Sequence, residues 1–195
     1  DVAMSFYNSK SNKLMHTYIH TLNRNQLPDT FALDPIYTYK MVVHTVPEVV
    51  VDNIKLIPGK HNTIVAQTPQ GILKLSTQGS NSQFTGINVI VRKDNEYNTV
   101  NIHKMNSEKE YLLGKYDLEM LTLPRIYFED VEIKQSKTTE ITIPLYGSVQ
   151  ISKGNGPASL FLKEKGQNIW LYEFDNFRYI FRYIYNIYYR FICKS

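Results

Sequence analysis

His16 and His20 stand four residues apart in His-Thr-Tyr-Ile-His, a spacing that puts two imidazoles on one face of a helix. A strand would also keep them on one face, because its side chains alternate with a period of two. Zinc chemistry needs more than this pair: a third protein ligand and, for peptide hydrolysis, a glutamate beside the first histidine. Neither can be named, so the two read as half-exposed histidines on a surface element. His44, His61 and His103 are isolated in sequence. Asp94-Asn-Glu96 and Glu129-Asp130 offer oxygen ligands without the spacing or the glycine of a calcium loop. There is no glycine-rich phosphate loop and no Gly-x-Ser-x-Gly elbow. The single cysteine, Cys193, allows neither an intramolecular disulfide nor a thiolate cluster. The chain is therefore read as non-enzymatic, with no cofactor and no metal.

Composition points to strands as the elements that position these residues. Among 195 residues, tyrosine occurs 15 times, and tyrosine with valine, isoleucine and threonine fits a pleated, half-buried surface. The formal charge of +4 is scattered rather than gathered into a basic stripe, so nucleic acid is not an expected partner. No run of about 18 uncharged apolar residues is present to form a membrane-spanning helix. The chain opens at Asp1 without an initiator methionine or a signal-peptide pattern. It reads as a mature or excised piece whose targeting signal, if it has one, lies upstream.

A repeat organises the chain. Tyr39-Lys-Met-Val-Val-His-Thr45-Val-Pro47 corresponds to Tyr116-Asp-Leu-Glu-Met-Leu-Thr122-Leu-Pro124. At the same offset Asp52, Ile54, Leu56, Lys60 and Ile64 fall on Glu129, Val131, Ile133, Lys137 and Ile141. After a one-residue gap, Gly71-Ile-Leu-Lys-Leu-Ser76 meets Gly147-Ser-Val-Gln-Ile-Ser152. Alternation alone would match apolar positions, but not tyrosine, threonine, proline, lysine and glycine in order. Each repeat has one grammar: an alternating run stopped by proline, a second alternating run, a turn, and a further strand. The turn is Pro58-Gly59-Lys60 in the first repeat and Gln135-Ser-Lys-Thr138 in the second. His44 and His61 stand where the second repeat has Leu121 and Thr138, a further sign that they are not catalytic.

The run Leu-Leu-Gly114-Lys-Tyr116-Asp-Leu-Glu-Met-Leu, followed by a strand, a turn and Thr-Glu-Ile-Thr-Ile-Pro, resembles the closing half of PEGA-like and carboxypeptidase-regulatory-like modules. These are small transthyretin-like β-sandwiches in which a Gly-x-Tyr step leads into a strand. More narrowly, Tyr-Asp-Leu-Glu-Met-Leu-Thr-Leu-Pro and Pro-Gly59-Lys-His…Thr68-Pro-Gln-Gly71 look like the region behind the von Willebrand factor A domain of bacterial envelope proteins. The resemblance implies a cell-envelope location, an upstream A domain as partner, and a spacer or ligand-presenting role toward protein or glycan. The A domain's own Asp-x-Ser-x-Ser metal motif is absent from this sequence.

The expected fold is all-β, built of tandem small β-sandwich units of transthyretin-like or immunoglobulin-like type, one complete and two partial. Residues 1–69 are read as the C-terminal part of a first unit, 70–144 as the complete sandwich, and 145–176 as the start of a truncated further unit. Trp170 and Tyr172 alternate and so would share one face, forming the pair to test as a binding surface. Residues 177–195 change character, being dense in tyrosine and phenylalanine with no acid. One reading is a basic amphipathic segment touching an anionic membrane through Arg178, Arg182, Tyr183 and Arg190. Another is a strand of the last unit. A third, favoured on composition, is out-of-frame translation or truncation of an AT-rich gene.

Overall fold

Short β-branched and aromatic runs separated by turn residues cannot sustain a helical period, and the computed structural model contains strands and turns only among the described residues. These are residues 2–22, 24–25, 27–28, 30–78, 86–143, 147–151, 158–174, 179–184 and 189–193; in several of the last strands the description is of the backbone. The chain is all-β, built of tandem small β-units.

The first sheet comprises β1 (Val2–Asn8), β2 (Leu14–His20), β3 (Thr38–Val43) and β4 (Val49–Lys55), in the order β2-β1-β3-β4. Its inward face carries Phe6, Tyr39, Met41 and Val43, all buried, with Met4, Leu33, Leu56, Ile64 and Ala66 packed around them. Phe31 meets Phe6 edge-on and stacks on Tyr18. β5 (Gln70–Thr77) follows, then β6 (Asn88–Lys93), β7 (Thr99–Lys104), β8 (Ser107–Leu112), β9 (Gly114–Met120), β10 (Ile126–Ile133) and β11 (Thr138–Ile143). They form one sheet of order β10-β9-β6-β7 and another of order β11-β5-β8. Leu73, Leu75, Val89, Val91, Tyr111, Tyr116, Leu118, Met120 and Ile143 are all buried.

The backbone repeats more closely than the sequence does. Read from the opposite edge, β7-β6-β9-β10 has the order of β2-β1-β3-β4. Tyr39 and Tyr116 are buried alike, and the prolines at 47 and 124 both follow cis peptide bonds. Asn53 and Asp130 take a left-handed φ at one offset, as do Gly59 and Ser136 in the turn that follows. Asparagine and aspartate tolerate that region better than most residues.

The front halves correspond as well, at a different offset. Phe6 pairs with Met41 as Val91 pairs with Leu118. The β1–β2 register slips between Phe6 and Tyr7, and the β6–β7 register slips between Val91 and Arg92. In each case the edge strand carries one extra residue, Met15 or Val100, an apolar side chain that is half-buried.

The remaining strands are β12 (Gly147–Ile151), β13 (Ala158–Glu164), β14 (Gln167–Phe174), β15 (Tyr179–Ile184) and β16 (Tyr189–Cys193). β12 pairs with β15, and β14-β13-β16 form a sheet. The β13–β14 register slips between Leu160 and Phe161, leaving Leu171 as the extra, half-buried residue. Leu160 pairs with Phe191 and Leu162 with Tyr189, so Tyr189 takes the register position of Tyr39 and Tyr116. The aromatic tail thus supplies two strands paired to the third repeat.

By contacts the chain divides into two units. One holds Asp1–Ile72, Glu110–Leu113 and Ile133–Lys137; the other holds Leu73–Lys109, Gly114–Glu132 and Thr138–Ser195.

Candidate functional site

The residues with the geometry closest to chemistry are three that sequence reading did not connect. Ser5 lies on β1, one register step from the core residue Phe6, and its backbone pairs with Val42 of β3. His44 follows β3 directly, its N–H bonded to the carbonyl of Ala3 at 2.9 Å. Ser5 Oγ lies 2.8 Å from His44 Nε2, and His44 Nδ1 lies 2.8 Å from Glu48 Oε1. Since an ionised carboxylate only accepts, Nδ1–H donates to Glu48 and leaves Nε2 to accept the Ser5 hydroxyl proton. Hydroxyl, imidazole and carboxylate in series are the elements of an activated nucleophile.

The environment does not suit that chemistry. Ser5 is only 5% exposed and sits within a paired strand, so an acyl carbonyl has no open line to its oxygen. Glu48, which would be the buried orienting acid, is instead mostly exposed. The second repeat keeps the backbone without the relay: Ile90, Leu121 and Arg125 stand at the corresponding positions. The chain of bonds fixes the His44 ring between a buried strand and solvent.

The second repeat builds an ionic cluster from a neighbouring position. Glu119, buried on β9, receives Arg92 Nη1 at 2.7 Å and is also hydrogen-bonded by Arg125. Burial pushes its carboxyl up, but the bonds from Arg125 and Arg92 outweigh that and hold it below the usual range. Its partner Arg125 is correspondingly held above the usual range, chiefly by its hydrogen bond to Glu119. A cleft of about 350 Å³ beside this cluster is lined by Arg92, Tyr97, Asp117, Glu119 and Tyr127 among others.

His16 and His20 share a face of β2, opposite Phe6 and Val2. No group of three or more metal-binding side chains occurs among the described residues. His103 is buried on β7, with Nε2–H donating to the Ser107 carbonyl at 3.2 Å; burial pushes its pKa down. Asp94 accepts from Asn95 Nδ2, and Asp130 from Lys115 Nζ, so both are engaged with neighbouring side chains.

Trp170 and Tyr172 are 57% and 42% exposed. They pair with Phe161 and Leu160, adjacent residues of β13 that point to opposite faces. The extra residue Leu171 between them breaks the alternation, so they do not form one flat platform. Arg178 lies outside the described residues. Arg182 and Arg190 have backbone positions in β15 and β16, opposite Ser148 and Phe161, while Tyr183 lies at a register irregularity of β15. The side chains of Arg182, Tyr183 and Arg190 lie outside the described set.

Sequence reading missed Ser5, Glu48 and the Arg92–Glu119–Arg125 cluster. His44 to Glu48 was visible as a four-residue spacing across a proline; Ser5, 39 residues away from His44, was not. Compared with known proteins, the chain matches no family model, no curated protein and no solved structure.

Proposed function

We propose that this chain is a non-catalytic tandem β-module that serves as a spacer or ligand-presenting surface in a larger bacterial envelope protein. The observation that carries the reading is the unequal retention of features between repeats. Strand order, the buried tyrosine, the left-handed turn positions and the edge-strand bulge recur, while the polar groups at equivalent positions change from Ser5, His44 and Glu48 to Ile90, Leu121 and Arg125. A catalytic array would keep its reactive groups, whereas a scaffold keeps its frame and varies its surface. The likeness of the repeats' closing halves to PEGA-like and carboxypeptidase-regulatory-like modules, and to the region behind von Willebrand factor A domains, supports the envelope setting. It also makes an upstream A domain the natural neighbour, with protein or glycan as ligand.

Mechanical unfolding of the full chain between two handles tests the spacer role. The offset from Tyr39 to Tyr116 is 77 residues, which at roughly 3.4 Å per residue predicts steps of about 260 Å. Separate force peaks at that spacing support a tandem spacer; a single low-force event would overturn it. The competing role, a peripheral membrane binder acting through residues 177–195, is tested by co-sedimentation with anionic vesicles. Pelleting that is lost on removing those residues would favour it over the spacer.

A further inference from the structure

In the second repeat β5 is the central strand of its sheet, between β11 and β8. Its Leu73 and Leu75 are fully buried. Ile72 N–H donates to Lys137 O and Gln78 N–H to Ile143 O, both at 2.9 Å; the partner numbers rise together, so β5 and β11 run parallel. Ser136 N–H returns a bond to Gln70 O. A Cβ at Gly71 would lie 2.2 Å from the carbonyl oxygen of Lys134, so glycine is the residue that fits there. In the third repeat β12 again begins with glycine, Gly147, and again precedes the bulged pair.

The first repeat has the receiving side of this arrangement. Residues 61–66 correspond to β11, and the preceding turn is the same: Lys60 N–H donates to Ile57 O at 3.3 Å as Lys137 N–H does to Lys134 O at 3.2 Å. Burial alternates along the segment, with His61, Thr63 and Val65 exposed and Asn62, Ile64 and Ala66 half-buried. A period of two is that of an extended segment, and Ile64 and Ala66 on its inner side lean on the core of Phe6, Tyr39, Met41 and Val43. Yet it belongs to no sheet among the described residues. Its apolar groups are also less covered than their counterparts. Leu56 and Ala66 are half-buried, whereas Ile133 and Ile143 are fully buried beside β5. Asn62 Nδ2 meanwhile donates to Lys60 O at 2.9 Å, the carbonyl whose counterpart in the second repeat receives β5.

We propose that residues 57–66 form a strand-acceptor site, completed by an extended segment of the pattern Gly-x-apolar-x-apolar from the polypeptide leading into β1. Its glycine passes Leu56 and Ile57, its two apolar side chains cover Leu56, Ile64 and Ala66, and its N–H groups reach the carbonyls of Lys60 and Ala66. The donor is placed in cis because β5 leads into β6 and β12 into β13 in the other two repeats. The inference stands on the correspondence between repeats and not on the spacer role, so either can fail alone.

The test uses the full chain and a synthetic peptide of residues 70–78, Gln-Gly-Ile-Leu-Lys-Leu-Ser-Thr-Gln. Saturable binding is expected, with a raised melting temperature and slower amide exchange in residues 61–66. N-methylation of one alternate set of peptide nitrogens should abolish binding, while methylation of the other set leaves it intact, because strand addition uses one edge. Replacing the peptide glycine by valine should weaken binding at least about tenfold, a 1.4 kcal/mol loss. Absence of binding, indifference to the methylated edge, or protection confined to Thr138–Ile143 would overturn the proposal. Fusing residues 70–87 ahead of Val2 should give a monomer that no longer binds the peptide, supporting the donor in cis. An unfused chain that dimerises, and that the peptide dissociates, would show that a second chain is the donor and overturn it.

Discussion

Thr45 and Thr122 make one and the same hydrogen bond in successive repeats: each Oγ1–H donates to the carbonyl of the proline two residues on, at 2.7 Å. Both threonines are buried, so the bond satisfies a hydroxyl and a turn carbonyl where water does not reach easily. Thr45→Val and Thr122→Val should each cost about 1 kcal/mol, since shape is kept and one buried bond is lost. Urea denaturation of the two variants and the double variant checks this, and the costs should add because the sites share no partners.

Two glycines should respond to alanine for different reasons. Gly71→Ala drives a methyl into the Lys134 carbonyl and Ile133 Cγ2, backbone and core that must shift, and should cost about 3 kcal/mol. Gly59→Ala meets open space and bears only the left-handed φ of 71°, worth about 1 kcal/mol. Matched thermal and urea unfolding of the two variants would expose a reversed order.

His103 ties stability to mild acid. Its pKa is lowered in the folded chain by burial, then raised somewhat by the Ser107 carbonyl and lowered by Lys109. The unfolded chain therefore binds a proton that the folded chain refuses. Stability should be full above the unfolded value near 6.5 and decline as pH falls below it. His103→Gln keeps a donor for Ser107 and should flatten the dependence of the urea midpoint between about pH 7 and 5.

Glu119 acts lower on the scale. Its folded pKa is depressed, so its contribution is present above the unfolded carboxylate value near 4.3 and is lost as pH falls through the folded one. Glu119→Gln should cost about 2 kcal/mol at neutral pH, because two arginines lose a charged acceptor. The penalty should shrink in acid, measurable as converging urea midpoints of variant and parent.

A serine-directed fluorophosphonate should leave Ser5 unlabelled, since its oxygen is covered on the strand face. Stoichiometric labelling that His44→Ala abolishes would show an activated nucleophile and refute the non-catalytic reading.

The back half of the first two repeats was legible because its restrictions fall on particular residue types: a buried tyrosine, a bonded threonine, a proline, and turn positions with left-handed backbone. The front half was not. Phe6, Val91 and Leu160 share only their apolar character, and they correspond through hydrogen-bond register. The segment joining front and back also differs in length, running from His20 at the end of β2 to Thr38 at the start of β3, against the short strand β8 between β7 and β9, which changes the offset. The contact between Ser5 and His44 was invisible for the same reason, since only the β1–β3 register brings the two together. For Trp170 and Tyr172, parity reasoning gave one face, and the extra residue between them gave two.

That extra residue has a consequence for how these modules can change over time. Met15, Val100 and Leu171 each reverse the phase of their strand, the first two one residue from its start and Leu171 near its middle. Solvent-facing positions on one side of the slip are odd-numbered if those on the other side are even. A deletion there would turn the strand on one side of the slip inside out relative to the other, while one at the neighbouring hairpin tip would merely shorten a loop. Length variation should therefore accumulate at the tips, and indeed the third repeat takes two more residues than the second to pass from Leu160 to Tyr172 than from Val91 to Asn101. The slip behaves as a fixed point about which the rest of the hairpin is free to drift.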